Sequence, residues 1–170
     1  HCYLPRDDSV VPSPITPKRS DFGLPEKGVV FCSFNHDYKI NPPMFKVWME
    51  LLKVVPGSVL WLMKLNDDAR QNLAKNTEYY GVDPNRVVFA TRVPRIEDHL
   101  ARYRHADVFL DTFPYNGHTT ASDALLAGVP VVTLTGRGFA SRVATSLLHD
   151  MGNADWCANN IEEYKQRARQ

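Results

Sequence analysis

The 170 residues carry 20 Lys+Arg against 19 Asp+Glu, with 44% hydrophobic and 11% aromatic side chains, a composition that suits one globular domain with an ordinary core. So even a charge balance gives no long-range field for nucleic acid or an anionic membrane face, and no apolar run approaches the roughly 18 residues of a membrane helix. Cys2, Cys32 and Cys157 are odd in number, widely spaced and without a C-x-x-C, which argues against a disulfide framework or a zinc site and for a reducing, cytoplasmic setting.

In chain order, residues 1–27 hold Pro5, Pro12, Pro14, Pro17 and Pro25 among polar residues and are expected to be a linker or an arm from a neighbouring lobe. The N-terminus shows no basic region followed by an apolar stretch, and the opening at His1, without a methionine, reads as an excised piece of a longer protein. Residues 28–170 form the second unit, where β-branched and aromatic runs alternate with helical stretches. The runs Val29–Phe34, Val59–Lys64, Arg86–Thr91, Asp107–Asp111 and Val129–Leu134 predict five strands. Asn41 with Pro42 opens one helix, Asp67 opens a second that Gly81 stops, and Thr119 opens a third that Gly128 stops. The fold class is therefore α/β, a Rossmann-like parallel sheet with flanking helices, whose ligands sit outside the carboxyl ends of the strands.

The loops at those ends carry the candidate site. After the first strand, Ser33 to Lys39 contains no glycine, where a dinucleotide fingerprint needs G-x-G-x-x-G, which argues against an NAD or FAD oxidoreductase. Lys39 offers a point charge for a phosphate and His36 a donor beside it, although a solvated loop lysine has the same appearance. Past the third strand, His99 and Arg102 are three apart on one helix and share a face that can hold a flat heterocycle, or simply be solvated. After the fourth strand, His118, Thr119 and Thr120 stand at a helix start, whose free N–H groups and dipole attract an anion, and Asp123 can accept from ribose hydroxyls. Thr119 and Asp123 are equally what an ordinary capped helix shows. The turn Thr135 to Arg142, with Gly136 and Gly138, either reaches the same ligand or is a tight connection.

The segment Phe109 to Thr120, its continuation Asp123 to Leu134, and Ala140-Ser141-Arg142-Val143 together resemble the C-terminal catalytic lobe of the O-GlcNAc transferase family, and within it the SPINDLY-like bacterial members. The likeness extends over Phe31 to Ile40, Ser58 to Leu62 and the His99 to Arg102 turn, nearly everything from Gly23 to Met151. It implies the C-terminal half of a GT-B glycosyltransferase, with tetratricopeptide repeats and an N-terminal catalytic lobe elsewhere in the protein; Tyr3-Leu4-Pro5-Arg6-Asp7 looks like the tail of that lobe. Position by position, Lys39 resembles the family lysine on the diphosphate, and His36 stands where the best-known members have a glutamine. His99 and Arg102 resemble the uracil contacts, His118, Thr119 and Thr120 the diphosphate contacts, and Asp123 the ribose contact.

The reaction so implied is an inverting, metal-independent transfer of a sugar from UDP-GlcNAc to a protein Ser or Thr hydroxyl. Lys39 then stabilises the departing UDP, no cofactor or metal is needed, and the chain alone lacks the half that completes the enzyme. The alternatives are a lobe using GDP-fucose for protein O-fucosylation, a UDP-GlcNAc epimerase-like enzyme, and a nucleotide-binding or scaffold module without catalysis. A receiver-type signalling domain needs a cluster of acidic residues, and only Asp37 follows the first strand.

Overall fold

The computed structural model describes residues 9–170; Cys2 and Tyr3 to Asp7 lie outside the described residues. Among the described residues, three helices begin where the sequence supplies a capping asparagine, Asn41, Asn66 or Asn160. Asn41 accepts from Met44 N at 3.1 Å, with Pro42 at the first helical position, and opens α1 (Pro42–Val54). Asn66 accepts from Ala69 N at 2.8 Å and opens α2 (Asp67–Tyr79), which ends against Gly81 at φ +70°. α3 (Ile96–Arg102), α4 (Thr119–Leu126), α5 (Val143–Asp150) and α6 (Ile161–Arg167) follow. The strands are β1 (Val30–Ser33), β2 (Val59–Met63), β3 (Val87–Ala90), β4 (Val108–Leu110), β5 (Val131–Leu134) and β6 (Cys157–Ala158).

They form one sheet in the order β3-β2-β1-β4-β5-β6, every neighbouring pair parallel. β6 is a sixth strand beyond the five expected. It is two residues long and holds no β-branched side chain, so no alternation marks it, and it forms because Thr135 N donates to Ala158 O at 2.8 Å. Arg86, expected to begin the third strand, closes a short 3-10 turn instead. Its guanidinium is drawn beneath the end of α1, donating to the carbonyls of Leu52, Val55 and Ser58.

Alternate residues along each strand feed two cores, one on each face of the sheet. Phe31, Leu60, Leu62 and Leu110 pack with Phe45, Trp48, Leu51 and Tyr164 from α1 and α6. Val30, Cys32, Trp61, Phe109 and Val131 pack with Ala121, Ala124, Ala144 and Leu148 from α4 and α5. Cys32 and Cys157 are free thiols buried in the second core. Residues 9–27 lie against this same domain: Phe22 packs on Trp61 at 5.3 Å between ring centroids, Leu24 is buried, and Arg104 holds Ser13 O at 2.6 Å.

The strand order reverses between β1 and β4. The chain builds outward from β1 to β3, returns to lay β4 on the other side of β1, and builds outward again. A crevice opens at such a switch point because the loops after the two central strands leave in opposite directions.

Candidate functional site

The floor of the crevice is made by the residues that follow β1 and β4. Asn35 bridges the two loops, its Nδ2 donating to Thr112 Oγ1 at 3.0 Å while its Oδ1 accepts from the Thr120 hydroxyl at the start of α4. Asp111, directly after β4, is fully buried: Oδ1 accepts from Gly117 N at 2.6 Å and Thr112 N at 2.9 Å, and Oδ2 accepts from Thr133 Oγ1 at 2.7 Å. Its carbonyl accepts from Tyr164 OH at 2.8 Å, and Tyr164 in turn accepts from Trp48 Nε1 at 3.2 Å, so α1 and α6 fix the end of β4 through one polar chain. The turn is closely fitted. A Cβ on Gly117 would stand 2.7 Å from Thr120 Oγ1 and 3.1 Å from Asp111 Oδ1.

Lys39 reaches into this turn from a 3-10 turn after β1, with only 9% of its surface exposed. Its Nζ donates to Asn116 O at 2.8 Å and lies 3.9 Å from the centroid of the Tyr115 ring. Burial pushes its ammonium below the ordinary lysine range, and the Asp111 carboxylate opposes that shift. Burial likewise raises Asp111, to a pKa of about 6, against its hydrogen bonds and the charge of Lys39. His118 stands at the N-cap of α4, its ring beside Tyr115 and Phe139, and burial followed by the Lys39 charge lowers its pKa below the ordinary imidazole value.

A second group lies beside the first. His99 Nε2 approaches Asp123 Oδ2 at 3.5 Å, linking α3 to the second turn of α4, while His99 Nδ1 meets Arg102 Nη2. Because a guanidinium only donates, Nδ1 is the acceptor there and Nε2 carries the hydrogen that faces Asp123. Arg102 is 1% exposed; it donates to Thr91 O at 2.7 Å and lies over the Phe34 ring at 4.6 Å from the centroid.

The structure thus brings Lys39, His118 and Thr120 together around one helix start, with Thr119 exposed at its first position. It sets His99, Arg102 and Asp123 one turn away, about 6 Å along α4 from Thr119 at the helical rise per residue. His36 stays on the rim, exposed and stacked on Tyr38 with ring centroids 5.5 Å apart. Asn35, Asp111, Tyr115 and Asn116 are the site residues that sequence reasoning assigned no role; the signal for Asp111 is a lone acidic residue closing an apolar strand, which also marks many ordinary turns. A cavity of about 310 Å³ lies at the opposite, amino edge of the sheet, where Val29, Phe31, Val108, Pro130 and Trp156 give it a largely apolar lining to which Asp107, Arg169 and Gln170 also contribute. Among the described residues no three His, Cys, Asp or Glu side chains gather in a metal-holding group.

The sequence pattern of glycosyl transferase family 41 matches residues 6–170. The chain belongs to that family. It is 39% identical over 174 residues to the Arabidopsis thaliana protein named "Probable UDP-N-acetylglucosamine-peptide N-acetylglucosaminyltransferase SEC", covering 99% of this chain and 18% of that protein. With the UDP-N-acetylglucosamine-peptide N-acetylglucosaminyltransferase of Caenorhabditis elegans it shares 41% identity over 146 residues, covering 86% of this chain and 13% of the relative. A solved Thermobaculum terrenum O-GlcNAc transferase mutant superposes with a TM-score of 0.79 at 34% identity, over 94% of this chain and 30% of that one. This family-41 chain therefore spans less than a fifth of the length of these two sequence relatives, and its six-stranded parallel sheet is the Rossmann-like fold of its GT-B glycosyltransferase neighbours.

Proposed function

We propose that this family-41 domain is the donor-binding lobe of an inverting, metal-independent protein Ser/Thr O-glycosyltransferase that uses UDP-GlcNAc. In the full-length protein an N-terminal catalytic lobe and tetratricopeptide repeats complete the cleft and present the acceptor; the isolated lobe is inactive. The observation that carries the reading is the convergence of Lys39, His118 and Thr120 on the start of α4, with His99 and Asp123 one turn further on. A nucleoside diphosphate has that polarity and span: the diphosphate against the helix start and Lys39, the ribose at Asp123, the base at His99.

Transfer of the sugar leaves negative charge on the departing UDP, and groups aimed at that charge lower the barrier most. Lys39 supplies a buried cation, the α4 N-terminus a partial positive charge, and Thr119 an exposed hydroxyl. Arg102 acts through His99, fixing its tautomer from Nδ1. Asp111 is committed to Gly117, Thr112 and Thr133, which leaves no carboxylate pair at the phosphates to hold a divalent cation. The test is transfer from UDP-GlcNAc to a protein acceptor by the full-length protein in excess chelator. Lys39→Ala is expected to lower the rate by about 10²-fold or more. An unchanged rate removes Lys39 from the scheme, and loss of transfer on chelation sinks metal independence.

A further inference from the structure

The direction of each hydrogen bond around Asn35 follows from one fixed end. The Tyr115 carbonyl only accepts, so the Thr112 hydroxyl donates to it at 2.6 Å and keeps its lone pairs for Asn35. The Asn35 group 3.0 Å from Thr112 Oγ1 is therefore the amide nitrogen, and the group facing Thr120 is the amide oxygen, which only accepts. Thr120 must then give its one hydroxyl proton to Asn35. Any further group that meets this hydroxyl meets lone pairs, and an ionised phosphate, itself an acceptor, gains nothing from them.

The backbone of Thr120 is under no such claim. The first hydrogen bond of α4 runs from Ser122 N to His118 O, so the N–H groups of Thr119, Thr120 and Ala121 have no partner within the helix. Asn35 is 1% exposed and packs on the β4 turn, where a Cβ on Gly117 would stand 3.0 Å from its Oδ1. The place calls for one acceptor and one donor on a short side chain. Leucine has nearly the same shape and takes no proton; aspartate has no donor for Thr112 and sets an anion beside the phosphate surface.

We propose that Asn35 is a positioning residue of the donor site: it takes the Thr120 hydroxyl proton, so that Thr120 meets the diphosphate through its backbone N–H and the exposed Thr119 supplies the hydroxyl donor. The same amide ties the β1 loop, which carries Lys39, to the start of α4. The inference rests on the reading of that helix start as a diphosphate contact.

The experiment is calorimetric titration of the full-length protein with UDP, comparing Thr119→Val, Thr120→Val, Asn35→Leu and the Asn35→Leu/Thr120→Val double variant with the wild type. Thr119→Val removes a hydrogen bond to a charged group and is expected to weaken binding by about tenfold or more. Beside an intact Asn35, Thr120→Val should weaken it by about threefold or less, through a slackened helix start. In Asn35→Leu the released hydroxyl turns to the ligand, and removing it from that background should cost about tenfold or more. If Asn35 only braced the fold, Thr120→Val would have the same effect in both backgrounds. That result, or a loss in Thr120→Val as large as in Thr119→Val, overturns the proposal and leaves the donor site standing. Should Asn35→Leu not fold, Thr120→Ser decides: affinity within about threefold of Thr120→Val supports the proposal, and an advantage of about tenfold over it refutes it. Failure of the folded wild type to bind UDP overturns the donor site itself, and this inference with it.

Discussion

An ionised carboxylate held away from water destabilises a fold unless its partners compensate, and Asp111 shows the balance in this chain. Its folded pKa, about 6, lies above the ordinary 3.8, so between those values the folded state binds more protons than the unfolded one. Stability is therefore greatest below about pH 4 as far as this group is concerned, and is lost as pH rises through 6, by about 3 kcal/mol in all at 1.36 kcal/mol per unit. Denaturant titrations across that range should show the fall in the wild type and its absence in Asp111→Asn, which at pH 7 should be no less stable than the parent. A variant much less stable at pH 7 would mean that the carboxylate earns its place structurally. A residue kept at a cost in stability is the pattern expected of a functional position.

At the scale of elements, the site is a matter of where two loops leave the sheet. Gly117 is where the β4 loop passes closest to its neighbours, and a methyl there would press on Thr120, Asn35 and Asp111 at once. Gly117→Ala is expected to cost about 1–3 kcal/mol of stability and to weaken nucleotide binding together with it; an unaltered melting temperature would show that the turn is looser than its geometry. The regular elements could be read from the chain because their cues are local. Continuous apolar runs such as Val59–Met63 mark strands buried on both faces, and Asn41-Pro42 marks a helix start. β6 has no such cue, and Arg86 follows a tertiary demand, the uncapped carbonyls at the end of α1, that no neighbouring residue announces. The same division runs through the site. Lys39, His99, Asp123 and the His118 to Thr120 start were legible because strand-end loops are few and their residue types are chemically distinctive. Asn35 and Asp111 were not, because their partners Thr112, Gly117, Thr120 and Thr133 come together only when β1, β4 and β5 are side by side. The burial of Arg102 was equally invisible, since helical spacing gives a face and not what covers it.

At the scale of the molecule, the sheet order places every one of these groups on one edge, and the cavity beside Trp156 on the opposite edge is largely apolar. As one half of the proposed cleft, the lobe alone should bind a nucleotide with modest affinity, on the order of micromolar to millimolar. Binding therefore discriminates between ligands better than its strength alone would suggest. The central claim is a uridine diphosphate seated along α4, from His118 to Asp123. It is tested most directly by calorimetry of the full-length protein with UDP, UDP-GlcNAc, GDP and GDP-fucose, each with and without Mg²⁺, beside a His99→Ala variant. UDP and UDP-GlcNAc binding that ignores Mg²⁺ and weakens by about tenfold in the variant is the expected result; preference for the guanine nucleotides, or no binding to the folded protein, would contradict it.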